Sequence, residues 1–295
     1  MANLISLGEV IDKSWDHYID HFKQLMVISL WALIIPILMI VRILLAPDGE
    51  LPTLAAILES GGDILSWSGV IFGTLVSLIA VPVITIWIYI NLVKAVEGQS
   101  KNKTLDLKAL RAFSWRNFFS YIWVGLIKAV VTALPVLALI PGVIAIYFNI
   151  STDGGVFFGV ASTLLMLAGV IIAFVLMVMF SIQLGFAGFE RLLGDKRGFK
   201  AISGSRALIE GRFWQTLFRV IVAKFVFLLV IMVLEFIVMF VLSVGSMITL
   251  ISGTATVGAI FGMLNLLLLS GVGILSTPIF IIVDYVIYDS LLKTR

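Results

Sequence analysis

The chain has 295 residues, 61% of them hydrophobic and 13% charged, with a formal net charge of +3 and no cysteine. Its apolar runs are too long for the helices of a soluble core, so an integral membrane protein is expected. The missing cysteines exclude disulfides, thiolate metal sites and cysteine nucleophiles, and the small net charge makes the position of each charge more informative than the sum.

Helices are favoured over a barrel, because lipid offers backbone N–H and C=O groups no partner and barrel strands would show short alternating segments. Residues 5–23 form an amphipathic helix pattern, with Ile11, Trp15, Tyr18, Ile19 and Phe22 on one face and Asp12, Lys13, Asp16, Asp20 and Lys23 opposite. Such a helix is expected in the headgroup plane. Its mixed, acidic composition does not read as a cleaved signal. The first span covers 24–45 with Pro36 as a kink, and an acidic segment, 46–63, separates it from a second span at 64–93.

The basic stretch 94–117 follows, where Thr104 is expected to cap a short helix with Asp106 in its first turn. A third span starts at Phe118 and meets Pro135 and Pro141-Gly142, which should bend or break it. A turn at 151–155 leads to span four, 156–189, and a second basic loop occupies 190–212. Span five, 213–251, exceeds a hydrocarbon core of roughly 30 Å, so it is expected to tilt, to break near Gly245 or to project. A turn at 252–256 precedes span six, which contains Pro278 and runs to about 290.

The expected fold class is all-α: a polytopic membrane protein of six transmembrane helices arranged as three hairpins, each preceded by an interfacial helix. Phe22, Phe118 and Phe213 open similar junctions 96 and 95 residues apart, so the single membrane domain 1–295 divides into candidate repeats 1–96, 97–190 and 191–295. Gly69/Gly73, Gly155/Gly159 and Gly258/Gly262 recur near the starts of the even-numbered spans, which predicts close helix approach there. Of the 20 lysines and arginines, four lie inside spans and all the others lie on one side, in the termini and the two basic stretches. The positive-inside rule then makes both termini cytoplasmic in a multi-pass protein of the cell membrane.

The segment Ala207-Leu208-Ile209-Glu210-Gly211-Arg212-Phe213-Trp214, preceded by Ala201 and Ser205, resembles the membrane domain of the glycerophosphodiester phosphodiesterase family and related six-helix bacterial membrane proteins. Ser14-Trp15 to Phe22 looks like that family's first junction. The resemblance implies a six-helix fold. It does not carry over phosphodiesterase activity, because spans and short loops use up the chain and leave no catalytic barrel.

His17 and His21 share a helix face and have zinc-ligand spacing, but no H-E-x-x-H glutamate or thiol accompanies them, and a solvated face is the better reading. No P-loop, nucleotide fingerprint or G-x-S-x-G elbow is found, so no enzyme, catalytic residue, cofactor or metal is expected. The stronger leads are charges inside the spans, each costly in hydrocarbon. Lys128 lies ten residues beyond Phe118, Lys224 eleven beyond Phe213, and Asp284 nine before Lys293, matched depths that suggest a buried ionic cluster or an anionic-lipid site together with the shallower Arg219. Arg42 and Glu235 form a candidate outer pair. Lysines snorkelling singly to the interface are the plain alternative.

The function expected is a non-catalytic structural, regulatory or lipid-binding role with membrane lipids, anionic ones included, as partners and no nucleic acid; the alternative is a small transporter or permease. The sequence identifies no protein partner. The topology gives a first prediction: in intact cells an impermeant thiol reagent labels Ser60→Cys and leaves Ser100→Cys unlabelled, and the reverse pattern would invert the orientation.

Overall fold

The computed structural model describes residues 4–45, 64–152, 155–252 and 255–294, with side chains except at 42–45, 64–67, 69–70, 246, 248–252, 255–256 and 259. The described residues are 90% helical, with no strand among them. Six stretches are long and apolar enough to cross a membrane: Phe22–Val41, Ile71–Ser100, Leu107–Ser151, Gly155–Leu192, Phe213–Gly245 and Ile260–Lys293. It is an all-α polytopic membrane protein.

Helix α1 is Leu7–Asp20, started by a capping box in which Ser6 Oγ accepts the Glu9 N–H at 3.3 Å and Glu9 Oε2 accepts the Ser6 N–H at 3.1 Å. It ends at His21, and α2 (Phe22–Ser29) continues through a 3₁₀ stretch, Leu30–Leu33, into α3, Ile34–Leu45. Helix α4 (Ile64–Leu75) passes through a π-turn, Val76–Ala80, into α5, Val81–Ser100. Nothing in the residue pattern marks the π-turn.

Helix α6 is one unbroken element, Leu107–Ala133. A separate interfacial helix was expected before span three, but nothing between Arg116 and Phe118 stops the helix, and the start is capped by Asp106 rather than Thr104: Asp106 Oδ1 accepts the Lys108 N–H at 2.9 Å. Pro135 and Pro141 turn the middle of span three into a 3₁₀ stretch, Leu134–Leu139, before α7, Ile140–Ser151. The remaining helices are α8 (Gly155–Gln183), α9 (Ala187–Leu192), α10 (Phe199–Ile209), α11 (Phe213–Ser252) and α12 (Ala255–Lys293). Helix α11 does not break at Gly245; the missing side chain there admits the Phe261 ring, which a Cβ would meet at 2.3 Å.

Two compact units share the chain, one holding Phe119–Phe218 and Tyr288–Arg295, the other Ile5–Phe118 and Arg219–Ile287. In the first, polar side chains pin the loop that follows α8. Ser205 Oγ donates to the Gln183 carbonyl at 2.7 Å and accepts the Phe186 N–H at 3.2 Å, closing the α8 terminus against α10. Ala201 is fully buried with Ala187 and Val124. Gly211 takes a left-handed φ of 75°, and Arg212 holds the C-terminal turn through Thr294 Oγ1 and the Thr294 carbonyl, both at 2.5 Å. Ala201, Ser205 and Arg212 therefore act here as staples.

The glycine expectation fails at three of its positions, while Gly73 is buried and a Cβ at Gly159 would meet the Asn149 side-chain amide at 3.4 Å. A Cβ at Gly155, Gly258 or Gly262 would meet nothing within 4 Å, so no helix backbone approaches there, and Gly69 lies outside the residues whose side-chain surroundings are described. Glycine makes close approach allowable, not necessary. Close approach occurs instead at Gly142, where a Cβ would lie 2.6 Å from Met166 Cα, and at Gly169, where a Cβ would lie 2.6 Å from the Ala138 carbonyl oxygen. Gly142→Ala and Gly169→Ala should each cost about 1–3 kcal/mol, seen as a lower Tm in detergent. Gly258→Ala should be neutral or gain up to about 1 kcal/mol.

Candidate functional site

In the unit formed by Ile5–Phe118 and Arg219–Ile287, α1 packs along α11 and α12. Its buried stripe is Val10, Ser14 and Tyr18. Arg219 Nε donates to the Ile5 carbonyl at 2.6 Å, and ten residues later the Trp15 ring lies 6.3 Å from that of Phe227. These contacts step along α11 in the same direction as α1 advances, so the amphipathic stripe is covered by helices of the same unit while Trp15 and Ile19 stay exposed. Pro278 supplies no N–H for the Ile274 carbonyl, and one residue on, the Leu275 carbonyl accepts the Tyr18 hydroxyl at 2.9 Å.

Below these contacts runs a groove of about 310 Å³, lined by Trp15, Tyr18 and Phe22, by Phe227 and Leu234 of α11, and by Ile279 of α12. Ser276 is its one polar lining residue besides the Tyr18 hydroxyl. Toward the basic ends of the same two helices, three residues before Phe227 and five after Ile279, stand Lys224 and Asp284. Lys224 Nζ lies 2.8 Å from Asp284 Oδ1 and 2.9 Å from Oδ2, a bifurcated ion pair. The lysine side chain remains 35% exposed and the aspartate 23%, so the ammonium keeps a donor directed out of the pair.

Of the other residues singled out in the sequence, Arg219 joins this unit by donating to the Ile5 carbonyl just ahead of α1, and Lys128 belongs to the unit formed by Phe119–Phe218 and Tyr288–Arg295. Glu235 is exposed on α11, and the Arg42 side chain lies outside the described residues.

The histidines serve a polar network on the inner side of α1. Their rings stack at 4.5 Å, His17 Nε2 lies 3.1 Å from Gln99 Oε1, and Gln99 Nε2 donates to Gln24 Oε1 at 2.9 Å. Among the described residues no three metal-ligating side chains come together.

Sequence reasoning missed Glu190, which reads as the first residue of a solvated loop but is 1% exposed. Its Oε1 accepts the Tyr288 hydroxyl at 3.1 Å and its Oε2 pairs with Lys196, while Arg191 Nε donates to Ser120 Oγ at 2.6 Å. The only local hint is an Asp/Glu–Arg pair abutting an apolar run.

No family model, curated protein or solved structure matches the chain.

Burial holds the His17 pKa below the ordinary histidine range, with the His21 charge adding to the effect against the opposing influence of Gln99 and Asp20. The neutral ring therefore favours the fold above the ordinary histidine pKa of about 6.5, and that stability is lost as pH falls through it toward the lower folded value. The Tm in detergent should drop between pH 7.5 and 5.5, and His17→Gln, which keeps a partner for Gln99, should flatten the drop.

Proposed function

We propose that the chain is a non-catalytic, lipid-binding protein of the cytoplasmic membrane, with both termini on the cytoplasmic side. The observation that carries this reading is the apolar groove beneath α1 with the Lys224–Asp284 pair at its basic end. A groove of this lining suits an acyl chain, and a partly exposed ammonium one turn nearer the basic loops suits the phosphate of the same lipid. Trp15, Tyr18 and Phe22 then frame the site as interfacial aromatics do. The charge asymmetry supports the orientation. The resemblance of the 201–214 segment to membrane domains that accompany lipid-degrading enzymes is in keeping with a lipid partner.

One further observation favours transport as a second reading. A cavity of about 260 Å³ lies where the 3₁₀ stretch and Pro36 meet Thr85, Tyr89 and Gly273, so irregular helices surround a pocket bearing several hydroxyls. Broken helices of this kind form solute sites in transporters.

The groove is tested by filling it. Ser276→Phe should reduce the phospholipid that copurifies in mild detergent at least fivefold by mass spectrometry, while Gly258→Ala, which faces open space, leaves it unchanged. Undiminished lipid in Ser276→Phe, together with solute flux in proteoliposomes, would replace the lipid reading with transport.

A further inference from the structure

We propose that a second site, at the start of α6, binds a phosphate-bearing anion, either the headgroup of a membrane lipid or a soluble phosphate. It goes beyond the groove and uses none of its residues.

The site is a cleft of about 550 Å³ between the end of α5, the connection 101–106 and the first turns of α6. Three cations line it, Lys94, Lys103 and Arg116, against one carboxylate, Asp106. Asp106 is engaged in capping α6 through the Lys108 N–H. Lys94 pairs with Glu97 at 2.5 Å, but Glu97 also takes Lys101 at 2.6 Å, so one negative charge is divided between two lysines. Among the described residues neither Lys103 nor Arg116 has a carboxylate within 4.0 Å.

The connection is a built turn. Helix α5 ends in a Schellman motif: the Asn102 N–H meets the Gln99 carbonyl at 2.9 Å, the Lys103 N–H meets the Gly98 carbonyl at 2.9 Å, and Asn102 takes the left-handed φ of 52° that this motif demands. Six residues are thereby enough to turn the chain back and place Lys103 in the lining of the same cleft as Lys94. Phe113 fixes the opposite wall. Lys94 Nζ sits 5.0 Å from its ring centroid and Arg116 Cζ 6.0 Å, so one aromatic ring orients two cations of the cleft.

A phosphate is the chemistry this arrangement fits. Arg116 can offer a guanidinium fork to two phosphate oxygens, the lysines supply point charges, and the Thr104 hydroxyl at the rim supplies a neutral donor. Leu105, Leu110 and Phe113 give the cleft an apolar wall, which suits the glycerol end of a phospholipid or the organic part of a phosphate ester. The Trp31, Trp87 and Trp115 rings lie 5.9 and 6.5 Å apart in sequence, with Arg111 5.2 Å above Trp31, an aromatic and basic patch in the same unit of the kind found at headgroup level.

The experiment uses the full chain in mild detergent, with Lys103→Gln/Arg116→Gln as the variant and Lys103→Gln alone as a second variant that removes only an exposed charge. Phosphatidylglycerol and phosphatidylcholine are added in turn and bound lipid is counted by native mass spectrometry; inorganic phosphate is titrated separately against Tm. Preferential phosphatidylglycerol binding that falls at least fivefold in the double variant, and less in the single one, assigns the cleft to a lipid headgroup. A Tm rise with millimolar phosphate, lost in the double variant, assigns it to a soluble anion. Equal binding of both lipids with no response to phosphate, or anion binding unchanged by the double variant, overturns the proposal. Ser276→Phe should leave the phosphate response intact, which separates a failure of this site from a failure of the groove.

Discussion

Lipid cannot hydrogen-bond, so each charge or free carbonyl carried into it has to find its partner within the protein, and the Lys224–Asp284 pair is where that requirement is most demanding. Both residues sit in helices of about 40 residues in which apolar residues predominate. Alone, either would have to stretch to the headgroups or draw water inward. Together they fix the rotation and register of α11 against α12, because only one helical face of each can bring an ammonium within 2.8 Å of a carboxylate. With α11 and α12 so placed, Phe227 and Ile279 line the groove that α1 covers, and the Leu275 carbonyl is within reach of Tyr18.

The same logic, with smaller groups, operates elsewhere in the chain. Apolar surfaces of membrane helices have little to gain from one another over lipid, so polar contacts and close backbone packing have to specify who packs against whom. Ser205 closes the end of α8, Arg212 ties down the C-terminal turn, and the buried Glu190 joins Lys196 to Tyr288. Each is a single polar side chain on an element that composition alone would leave free to rotate. Where no such group exists, as along the outer-facing length of α8, the side chains from Val156 to Phe158 and at Phe174 are exposed and ready to meet acyl chains.

The six spans and the helix class were legible because apolar runs of this length have few alternatives, and the 3₁₀ stretch at Leu134–Leu139 followed from two prolines six residues apart. Counting residues forward from Phe213 and back from Lys293 puts Lys224 and Asp284 at a similar depth, which is how their juxtaposition can be anticipated. The same count cannot tell which way a helix faces. Glu190 was illegible for a different reason: its partner Tyr288 is 98 residues away, and no local pattern separates a buried loop carboxylate from a solvated one. The glycine pairs misled because spacing reports what a helix surface permits, whereas the arriving neighbour is decided by the rest of the fold.

Lys224 and Asp284 orient two spans by pairing, and exchanging their charges is the sharpest test of that role. Lys224→Met and Asp284→Asn should each lower stability in detergent by an amount between the ~1 kcal/mol of an exposed pair and the ~3–5 kcal/mol of a fully buried one, since both groups keep some contact with their surroundings. Lys224→Asp combined with Asp284→Lys restores opposite charges at the same place and should recover most of the Tm lost by either single charge reversal. If the exchanged protein is as unstable as the sum of its two reversals, the residues act independently, and the pair does not set the register of α11 and α12.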